Sequence, residues 1–319
     1  MTLLSLCTTE TIISAASALR SGQLVAFPTE TVYGLGADAS HQSAIARLYE
    51  TKGRPADHPL IVHIASLDGL GEWARDIPEY AITLARDFWP GPMTLVLKRS
   101  GLAQDFITGG QDTVGLRVPA HPIALALIKE FISQGGAGIA APSANRFGAV
   151  SPTTASAVEE ELSQYLLPND LILDGGPCLV GVESTIIDCT GPAPMILRLG
   201  AITPLMVEES TGLLALESNP AAIRVSGSLN SHYSPKAKVL LDVVAQSGDG
   251  LIAPDQIPTP NGVVRLSAPS SIEEYARELY LALRKADQLG LEVVVVLQPG
   301  GDGLAAAIRD RLQRSAFIE

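Results

Sequence analysis

The sequence predicts an α/β protein with two domains of unequal size. Three observations carry this prediction. Short apolar runs alternate with stretches of helical periodicity, the apolar runs end in clusters of polar residues and glycine, and a second strand and helix rhythm begins near residue 237. At 319 residues, of which 46% are hydrophobic, the chain is long enough to form two cores. We therefore expect a first domain at 1–208, a linker that acts as a lid at 209–236, and a second domain at 237–319.

The first domain is predicted to begin with a helix. Thr8 or Thr9 can cap it, its apolar pattern runs to about Leu19, and Gly22 ends it. The apolar run that follows, at 24–27, has the length and composition of a buried strand. Further strands are predicted at 59–64, 93–98, 113–118, 138–141, 171–174, 184–188 and 195–198, and helices at 43–51, 79–88, 123–131 and 153–166. This alternation predicts one large mixed sheet whose strand-end loops line a site.

The segment after Thr203 is predicted to be an interdomain linker. It contains Asn-Pro at 219–220, Ser-Gly-Ser at 226–228 and Ser-Pro at 234–235, which are typical of turns and connectors. Beyond it the pattern predicts strands at 238–243, 262–267 and 291–297 and helices at 271–289 and 303–316. This is the order of a small Rossmann-like α/β unit, and it carries no motif with obvious chemistry.

Composition and charge exclude several classes of protein. A net charge of -12 does not suit a protein held on nucleic acid by its overall field, so we expect no stable nucleic-acid binding. The chain has no apolar run of about 18 residues and no signal-peptide pattern, so we expect a soluble, cytoplasmic protein that does not bind membranes. The three cysteines lack metal-binding spacing and are expected to be reduced and buried.

The most informative stretch is FPTETVYGLGA at 27–37, together with KGRP at 52–55. The first string crowds hydroxyls, a carboxylate, a tyrosine and two glycines behind an apolar run, a mixture that a core strand does not need. In the second, Lys52 and Arg54 flank Gly53, so two cations stand beside a backbone that a ligand can approach closely. The pattern is typical of a small-molecule site that binds an anion, most simply a phosphate group.

Other nucleotide-binding patterns fit less well. The string GAGIAA at 136–141 precedes a strand, which is the reverse of the order in a dinucleotide fingerprint. In GLGADA at 34–39 a helix is predicted to follow, but six residues separate the glycines from the end of the strand at 24–27. No GxxxxGK[ST] string occurs, which excludes an ordinary P-loop.

Polar residues in loops can supply the hydrogen-bond donors to phosphate that a P-loop supplies in other proteins. Ser143, Asn145 and Ser151 lie at expected strand-to-helix junctions, where side chains and backbone N–H groups can donate to phosphate oxygens. For Ser151 a helix cap is an equally good explanation, because serine is a preferred capping residue.

Two arginines and a histidine lie in apolar strands. Arg117 is inside one strand and Arg198 ends another, so each needs a partner, which is either a carboxylate of the protein or a carboxylate or phosphate of a ligand. By itself His63 is better explained as a core histidine with satisfied hydrogen bonds. The candidate carboxylates are Asp174, Glu183 and Asp188.

No pattern indicates a protein nucleophile or a metal centre. The chain shows no Ser/His/Asp order, no cluster of metal ligands and no reactive thiol. The reaction is therefore expected to proceed without a protein nucleophile.

Seven strings occur in chain order: PTETVYGL (28–35), KGRP (52–55), PGPMT (90–94), VGLRVP (114–119), APSAN (141–145), ESTIID (183–188) and LRLG (197–200). They resemble the signatures of the YrdC/YwlC family, the threonylcarbamoyl-AMP synthases. HYSP at 232–235 is similar to the linker of the long, two-domain members, so the resemblance covers nearly the whole chain. It implies a YrdC-like twisted mixed sheet with flanking helices and a smaller Rossmann-like C-terminal α/β domain.

The resemblance implies a nucleotidyltransferase that makes threonylcarbamoyl-AMP and pyrophosphate from L-threonine, bicarbonate or CO₂, and ATP. Mg²⁺ is expected with the ATP, and neither an organic cofactor nor a protein metal site is expected. A separate transferase system is expected to take the product and make tRNA threonylcarbamoyladenosine.

The resemblance also implies roles for individual residues, carried over position by position. Lys52 and Arg54 are expected to be catalytic and to stabilise charge that develops on the phosphates. The residues expected to bind threonine are Thr31, His63, Arg117, Ala141 and Ser184. The residues expected to bind ATP are Arg54, His58, Thr113, Ser143, Asn145, Ser151, Arg198 and Tyr233.

Two departures from the family pattern and two alternative functions stay open. His58 stands where the family has asparagine, although both side chains can donate a hydrogen bond. The linker reads Ser-Gly-Ser at 226–228 where the family has Pro-Gly. The first alternative is a non-catalytic RNA-binding or regulatory protein with the same fold, against which the acidic charge argues. The second is a carbamoyl-transfer relative, whose zinc-binding cysteines this chain lacks.

Overall fold

The computed structural model describes residues 4–217, 223–225, 227 and 233–317. Within these residues the chain forms two sheets, of eleven and four strands, each flanked by helices. The predicted fold class, an α/β protein with a mixed sheet followed by a smaller Rossmann-like domain, is confirmed. None of the described helices has both the length and the apolar character needed to cross a membrane.

The first sheet uses most of the chain. Its strands are β1 (Leu4–Leu6), β2 (Val25–Phe27), β3 (Gly34–Asp38), β4 (Ile61–His63), β5 (Met93–Lys98), β6 (Thr113–Arg117), β7 (Ile139–Ala140), β8 (Leu171–Asp174), β9 (Thr185–Asp188), β10 (Met195–Arg198) and β11 (Leu216–Glu217). The α-helices are α1 (Thr9–Arg20), α2 (Gln42–Lys52), α3 (Leu70–Trp73), α4 (Glu79–Phe88), α5 (Asp105–Thr108), α6 (Pro122–Ser133), α7 (Ala155–Leu162) and α8 (Pro204–Thr211), and a 3₁₀ turn spans Leu67–Gly69.

The spatial order of these strands is β1-β8-β2-β3-β7-β4-β6-β5-β9-β10-β11, with parallel and antiparallel neighbours mixed. Side chains alternate between the two faces of a strand. Val25 and Phe27 of β2 belong to the core that α1 and α6 cover, while Ala26 and the preceding Leu24 belong to the larger core on the opposite face. The sheet therefore lies between two hydrophobic cores.

The centre of the sheet places several of the predicted site residues together. Ile61 and His63 are two positions apart in β4 and so lie on the same face. His63 is in register with Arg117 of β6, and Ala141 directly follows β7 and donates its N–H to the Ile61 carbonyl. A site on this face is thus built from the ends of neighbouring strands.

Strand β3 was not predicted, and it contains both glycines of the string at 34–39. It pairs with β2 as an antiparallel hairpin and with β7 on its other side. A Cβ atom on Gly36 would lie 2.8 Å from the Phe27 ring and 2.9 Å from the Ile139 side chain. The second glycine is therefore needed for close packing within a strand and not for a phosphate-binding turn.

Other predicted boundaries differ from the structure by a few residues. The strands predicted at 59–64 and 138–141 shorten to Ile61–His63 and Ile139–Ala140. The short edge strands β1 and β11 and the helices α3, α5 and α8 were not predicted, because strands of two or three residues and helices of one or two turns give little periodic signal. Cys178 and Cys189 are buried as expected, whereas Cys7 is half-buried.

The second domain is a four-stranded parallel sheet in the order β12-β15-β13-β14. Strand β13 was not predicted. The limits 1–208, 209–236 and 237–319 stay predictions, and residues 218–222, 226 and 228–232 of the predicted linker, including His232, lie outside the described residues. The elements are β12 (Lys238–Leu241), β13 (Gly250–Ile252), β14 (Val264–Ser267), β15 (Val293–Val296), α9 (Ile272–Gln288) and α10 (Leu304–Ala316).

Candidate active site

A cavity of about 630 Å³, partly open to solvent, lies over the centre of the first sheet. All but three of the predicted site residues line it. The lining comprises Thr29, Thr31, Val32, Gly34, Lys52, Arg54, Ile61, His63, Arg117, Ala141, Pro142, Ser143, Asn145, Phe147, Glu183, Ser184, Arg198, Gly227 and Tyr233.

His58, Thr113 and Ser151 are the three predicted residues outside this lining. The His58 ring packs edge-on against Phe147, which does line the cavity, with 5.3 Å between the ring centroids. Thr113 lines a smaller neighbouring cavity. Ser151 is fully buried and donates a hydrogen bond of 2.7 Å to Oε1 of Glu183, itself a lining residue. Each therefore lies next to the cavity, and their roles in ATP binding stay predictions.

The interpretation of Ser151 as a helix cap is wrong. Thr154 caps α7, and its hydroxyl accepts a hydrogen bond from the Ala157 N–H. The Ser151 hydroxyl instead bonds to a carboxylate at the site, as described above. Because Thr154 already caps the N-terminus of α7, Ser151 is available for another role.

Arg117 pairs with a carboxylate that the sequence analysis did not propose. Its guanidinium donates to Oε1 of Glu30 at 2.7 Å and to the Thr31 hydroxyl at 3.0 Å. The other oxygen of Glu30 accepts from the Ala120 N–H at 3.0 Å. The pair is buried, with relative exposures of 5% for Arg117 and 6% for Glu30. The signature PTETVYGL thus supplies the counter-ion for an arginine in β6, a strand that does not pair with β2 or β3.

The loop between β2 and β3 is held by its own hydroxyls. Thr29 donates to the Val32 carbonyl at 2.6 Å, and the hydroxyls of Thr29 and Thr31 lie 2.8 Å apart. Thr29 is 2% exposed and was missed in the sequence analysis, although a threonine two residues before another is a common turn pattern. These bonds fix the direction of the Thr31 side chain toward the cavity.

His63 is a buried and neutral lining residue. Burial and, to a lesser degree, the charge of Arg117 lower the pKa of His63 to about 3. Its Nδ1 atom is buried and has no hydrogen-bond partner among the described residues. A buried polar atom of this kind in a cavity wall is suited to bind a ligand.

Lys52 lies in the cavity wall and also donates hydrogen bonds to backbone carbonyls of the protein. Its ammonium donates to the Ser143 carbonyl at 2.5 Å and to the Asn145 carbonyl, and only 2% of the residue is exposed. Burial, and then the charge of Arg54, hold the pKa of Lys52 well below its usual range. Lys52 thus positions the loop 143–145 in addition to presenting its charge.

Gly53 makes the turn that brings Arg54 to the cavity. Its φ of +62° is the left-handed conformation that ends α2, and a Cβ atom there would lie 2.5 Å from the Arg146 guanidinium. Arg54 then donates to the Pro59 carbonyl at 2.9 Å, and its guanidinium lies 5.9 Å from the Phe147 ring centroid. Burial lowers the pKa of Arg54 to about 10, so the side chain stays charged at neutral pH.

Arg198 connects the two groups of predicted ligands. Its guanidinium donates to the Ser184 carbonyl at 2.9 and 3.1 Å and to the Ser184 hydroxyl at 3.1 Å. The same hydroxyl lies 2.8 Å from that of Thr94. An arginine expected to bind ATP therefore holds a serine expected to bind threonine.

Comparison with known proteins identifies the family. A Sua5/YciO/YrdC family model, described as "Telomere recombination", matches residues 17–200, and a model described as "Threonylcarbamoyl-AMP synthase, C-terminal domain" matches residues 202–317. The chain belongs to the Sua5/YrdC family of threonylcarbamoyl-AMP synthases. The predicted family and the predicted class of enzyme, a nucleotidyltransferase, are confirmed.

Individual members of the threonylcarbamoyl-AMP synthase family are similar over nearly the full chain. The enzyme of Pyrococcus abyssi is 41% identical over 95% of this chain and 93% of its own length. That of Bacillus subtilis is 37% identical over 96% and 92%. The crystal structure of P. abyssi Sua5 complexed with L-threonine superposes with a TM-score of 0.88, covering 98% of this chain and 96% of that one at 38% identity. The two-domain architecture is therefore shared.

Proposed function

We propose that this chain joins L-threonine, bicarbonate or CO₂, and ATP into threonylcarbamoyl-AMP, with release of pyrophosphate. The observation that carries the proposal is the convergence, in one cavity, of a polar group suited to an amino acid and a cationic group suited to phosphates. Chain segments far apart in the sequence supply both groups. The family and the fold support the same activity.

The proposed threonine end contains Thr31, His63, Arg117, Ala141 and Ser184. Arg117 can bind the substrate carboxylate with its planar fork, held in place by Glu30. The buried Nδ1 of His63 and the hydroxyls of Thr31 and Ser184 offer partners for the amino and hydroxyl groups.

The proposed nucleotide end contains Lys52, Arg54, Ser143, Asn145, Arg198 and Tyr233 in the cavity, with His58, Thr113 and Ser151 beside it. Cations and loop donors aimed at the phosphates stabilise the charge that develops as the α-phosphate is attacked. Positive charge that burial keeps away from bulk water is more effective than the same charge at the surface.

In the proposed reaction, the threonine amine adds to CO₂ and loses a proton to form a carbamate. A carbamate oxygen then attacks the α-phosphorus of ATP, and the bond from that phosphorus to the oxygen bridging to the β-phosphate breaks, so pyrophosphate leaves. No covalent enzyme intermediate is needed. The residues of the chain bind, orient and neutralise charge.

Mg²⁺ is proposed to arrive bound to the phosphates of ATP, where it would neutralise charge on the leaving pyrophosphate. In the described part of the chain, no three His, Cys, Asp or Glu side chains converge as metal ligands. We therefore assign the ion to the phosphates. We also propose that the enzyme works in the cytoplasm and that a separate transferase carries the product to tRNA.

The test is pyrophosphate release from ATP, measured with each amino acid in turn and with or without bicarbonate. Threonine and bicarbonate together should be required. Because a site that hydrogen-bonds a substrate hydroxyl rejects analogues that lack it, valine should have a kcat/KM at least about 100-fold below that of threonine, with serine intermediate. Equal release with valine and threonine would contradict the proposed threonine end.

A further inference from the structure

Glu183 in the cavity wall is bonded to two residues of the second domain, for which the sequence indicated no chemistry. Nε of Arg311 donates to Oε2 of Glu183 at 2.9 Å, and the Tyr280 hydroxyl donates to the same oxygen at 2.9 Å. The other oxygen, Oε1, accepts from the Ser151 hydroxyl at 2.7 Å. One carboxylate thus links the second domain to a residue expected to bind ATP.

Arg311 is among the least exposed residues of the molecule. It is 0% exposed, and its remaining donors bind the Leu199 carbonyl at 2.7 Å and the carboxylate of Asp310. Ile308, Leu312 and Ser315 are buried on the same stripe of α10. A fully buried guanidinium in an apolar helix face is costly unless every contact is well formed, so its position is tightly determined.

The charge of Arg311 also sets the state of the carboxylate. Burial alone would raise the pKa of Glu183, but the charges of Arg311 and Arg198 and the hydrogen bonds from Ser151 and Arg311 outweigh it and lower that pKa to about 2. At neutral pH Glu183 is therefore ionised, and it can accept hydrogen bonds but cannot donate one. The hydrogen of the Ser151 hydroxyl points to Glu183, so the oxygen lone pairs of Ser151 point elsewhere.

The same two residues of the second domain hold Tyr233. The rings of Tyr233 and Tyr280 stack with centroids 5.7 Å apart at 24°, and the Arg311 guanidinium lies 5.4 Å from the Tyr233 ring centroid. The Ser315 hydroxyl donates to the Tyr233 carbonyl at 2.9 Å. Tyr233 lines the cavity and is 1% exposed, so three residues of α9 and α10 fix one part of the cavity wall.

We propose that Arg311 and Tyr280 are positioning residues for ATP, acting from the second domain through Glu183 on Ser151 and directly on Tyr233. The inference rests on the proposed function for the identity of the nucleotide. It gives the second domain a defined part in the reaction: this domain orders the nucleotide end of the cavity without touching the substrate. The threonine end depends on it less, because Glu30 and the β2–β3 loop hold that end.

The experiment compares Tyr280→Phe and Arg311→Met with the unchanged protein. Tyr280→Phe removes one oxygen and keeps the ring that stacks on Tyr233. Arg311→Met removes the charge and keeps much of the volume. The ATP KM should rise about threefold for the first and about tenfold for the second, while the threonine KM changes less than about twofold. The Kd for ATP, measured by calorimetry without threonine, should rise in parallel.

A double-mutant cycle distinguishes positioning from general loosening. In a Ser151→Ala background, Tyr280→Phe should no longer change the ATP affinity. The Tyr280 hydroxyl is proposed to act through Glu183 on the Ser151 hydroxyl, which this background lacks. The matched control is Gln288→Ala, which removes a different contact between the domains, the 3.0 Å hydrogen bond to Glu160, and should leave both KM values unchanged.

The inference is overturned if ATP affinity is unchanged in both variants, or if both substrates lose affinity equally and the cycle is additive. If Arg311→Met does not fold, Tyr280→Phe and the cycle decide alone. Failure of the proposed function is a different result: the unchanged protein would release no threonine-dependent pyrophosphate, while the calorimetric ATP measurement would still test the positioning.

Discussion

The two ends of the cavity handle charge in different ways. At the proposed threonine end the cation, Arg117, is paired with the carboxylate of Glu30 at 2.7 Å. At the proposed phosphate end Lys52 and Arg54 donate to backbone carbonyls, which carry no formal charge. The first arrangement is close to neutral, whereas the second brings the side chains of Lys52, Arg54 and Arg198 to one part of the cavity.

This difference matches the charges of the two proposed substrates. Threonine is a zwitterion with no net charge, so a balanced site binds it without leaving a buried charge uncompensated. ATP carries several negative charges, so a site lined by several basic side chains gains from binding it. The comparison predicts that changes at the two ends have different effects on the two KM values.

The largest effect is expected from removing a cation at the phosphate end. Arg54→Ala should lower kcat/KM by a factor that corresponds to about 2–4 kcal/mol, because a charge-assisted contact in the transition state is lost. Lys52→Ala should lower it by a similar factor. It should also lower the melting temperature, because the loop 143–145 loses its two bonds from the ammonium. Pyrophosphate release and thermal melting measure the two effects.

Lys129→Ala is the control for these variants, since Lys129 is an exposed residue of α6. It should behave as the unchanged protein does. Full turnover in Arg54→Ala with unaltered melting would show that this arginine does not face the phosphates.

A smaller effect on activity, selective for threonine, is expected at the threonine end. Glu30→Gln keeps the shape of the side chain but leaves Arg117 as an unbalanced buried cation, which should lower the free energy of unfolding by about 3–5 kcal/mol. The threonine KM should rise several-fold, and the ATP KM should change little. Denaturant unfolding and steady-state kinetics measure these quantities.

An equal change of both KM values in Glu30→Gln would remove the distinction between the two ends. Asp68→Asn, at an exposed carboxylate that does not line the cavity, is a suitable comparison for the loss of one negative charge.

The smallest effect is a pH dependence of stability that His63 controls. Its pKa is about 3 in the folded protein and about 6.5 when unfolded, so the unfolded state binds more protons between these values. Stability should therefore fall as the pH drops below about 6.5, by roughly 2 kcal/mol at pH 5. His63→Asn should lack this contribution. Unfolding free energies at pH 7 and pH 5 for both proteins test it, and an identical pH dependence would contradict the assignment.

The sequence located most of the site because its residues lie in short motifs at strand ends. PTETVYGL, KGRP and APSAN each contribute side chains to the same cavity, as the motif positions predicted. The sheet brings together strand ends that are distant in sequence, and the motifs mark those ends. Short sequence motifs were therefore sufficient to predict most of the residues that line the cavity.

The contacts among these residues could not be predicted in the same way. The partner of Arg117 is Glu30, 87 positions away, and only the order of the strands selects it over Asp174, Glu183 and Asp188. The burial of Lys52 likewise depends on where the loop 143–145 lies. Motifs state which residues take part, but the order of strands in the sheet decides which of them meet.

Arg311 was missed although the sequence holds a signal for it. Ile308, Arg311, Leu312 and Ser315 repeat at the spacing of one helix face, so a charged side chain lies on an apolar stripe. A charge in that position needs a partner outside its own helix. Searching helices for such residues would have pointed to the second domain.

The position of β7 has a consequence for synthesis of the protein. This two-residue strand lies between β3 and β4, yet the ribosome makes it after β5, β6 and α6. Because translation adds about 5–20 residues per second, the facing edges of β3 and β4 stay unpaired for several seconds until β7 is made. Unpaired strand edges can pair with other chains and so promote aggregation. Arg311 is made later still. A nascent chain therefore carries the motifs of the enzyme well before it has an ordered site. Chaperones that shield strand edges should matter most in that interval.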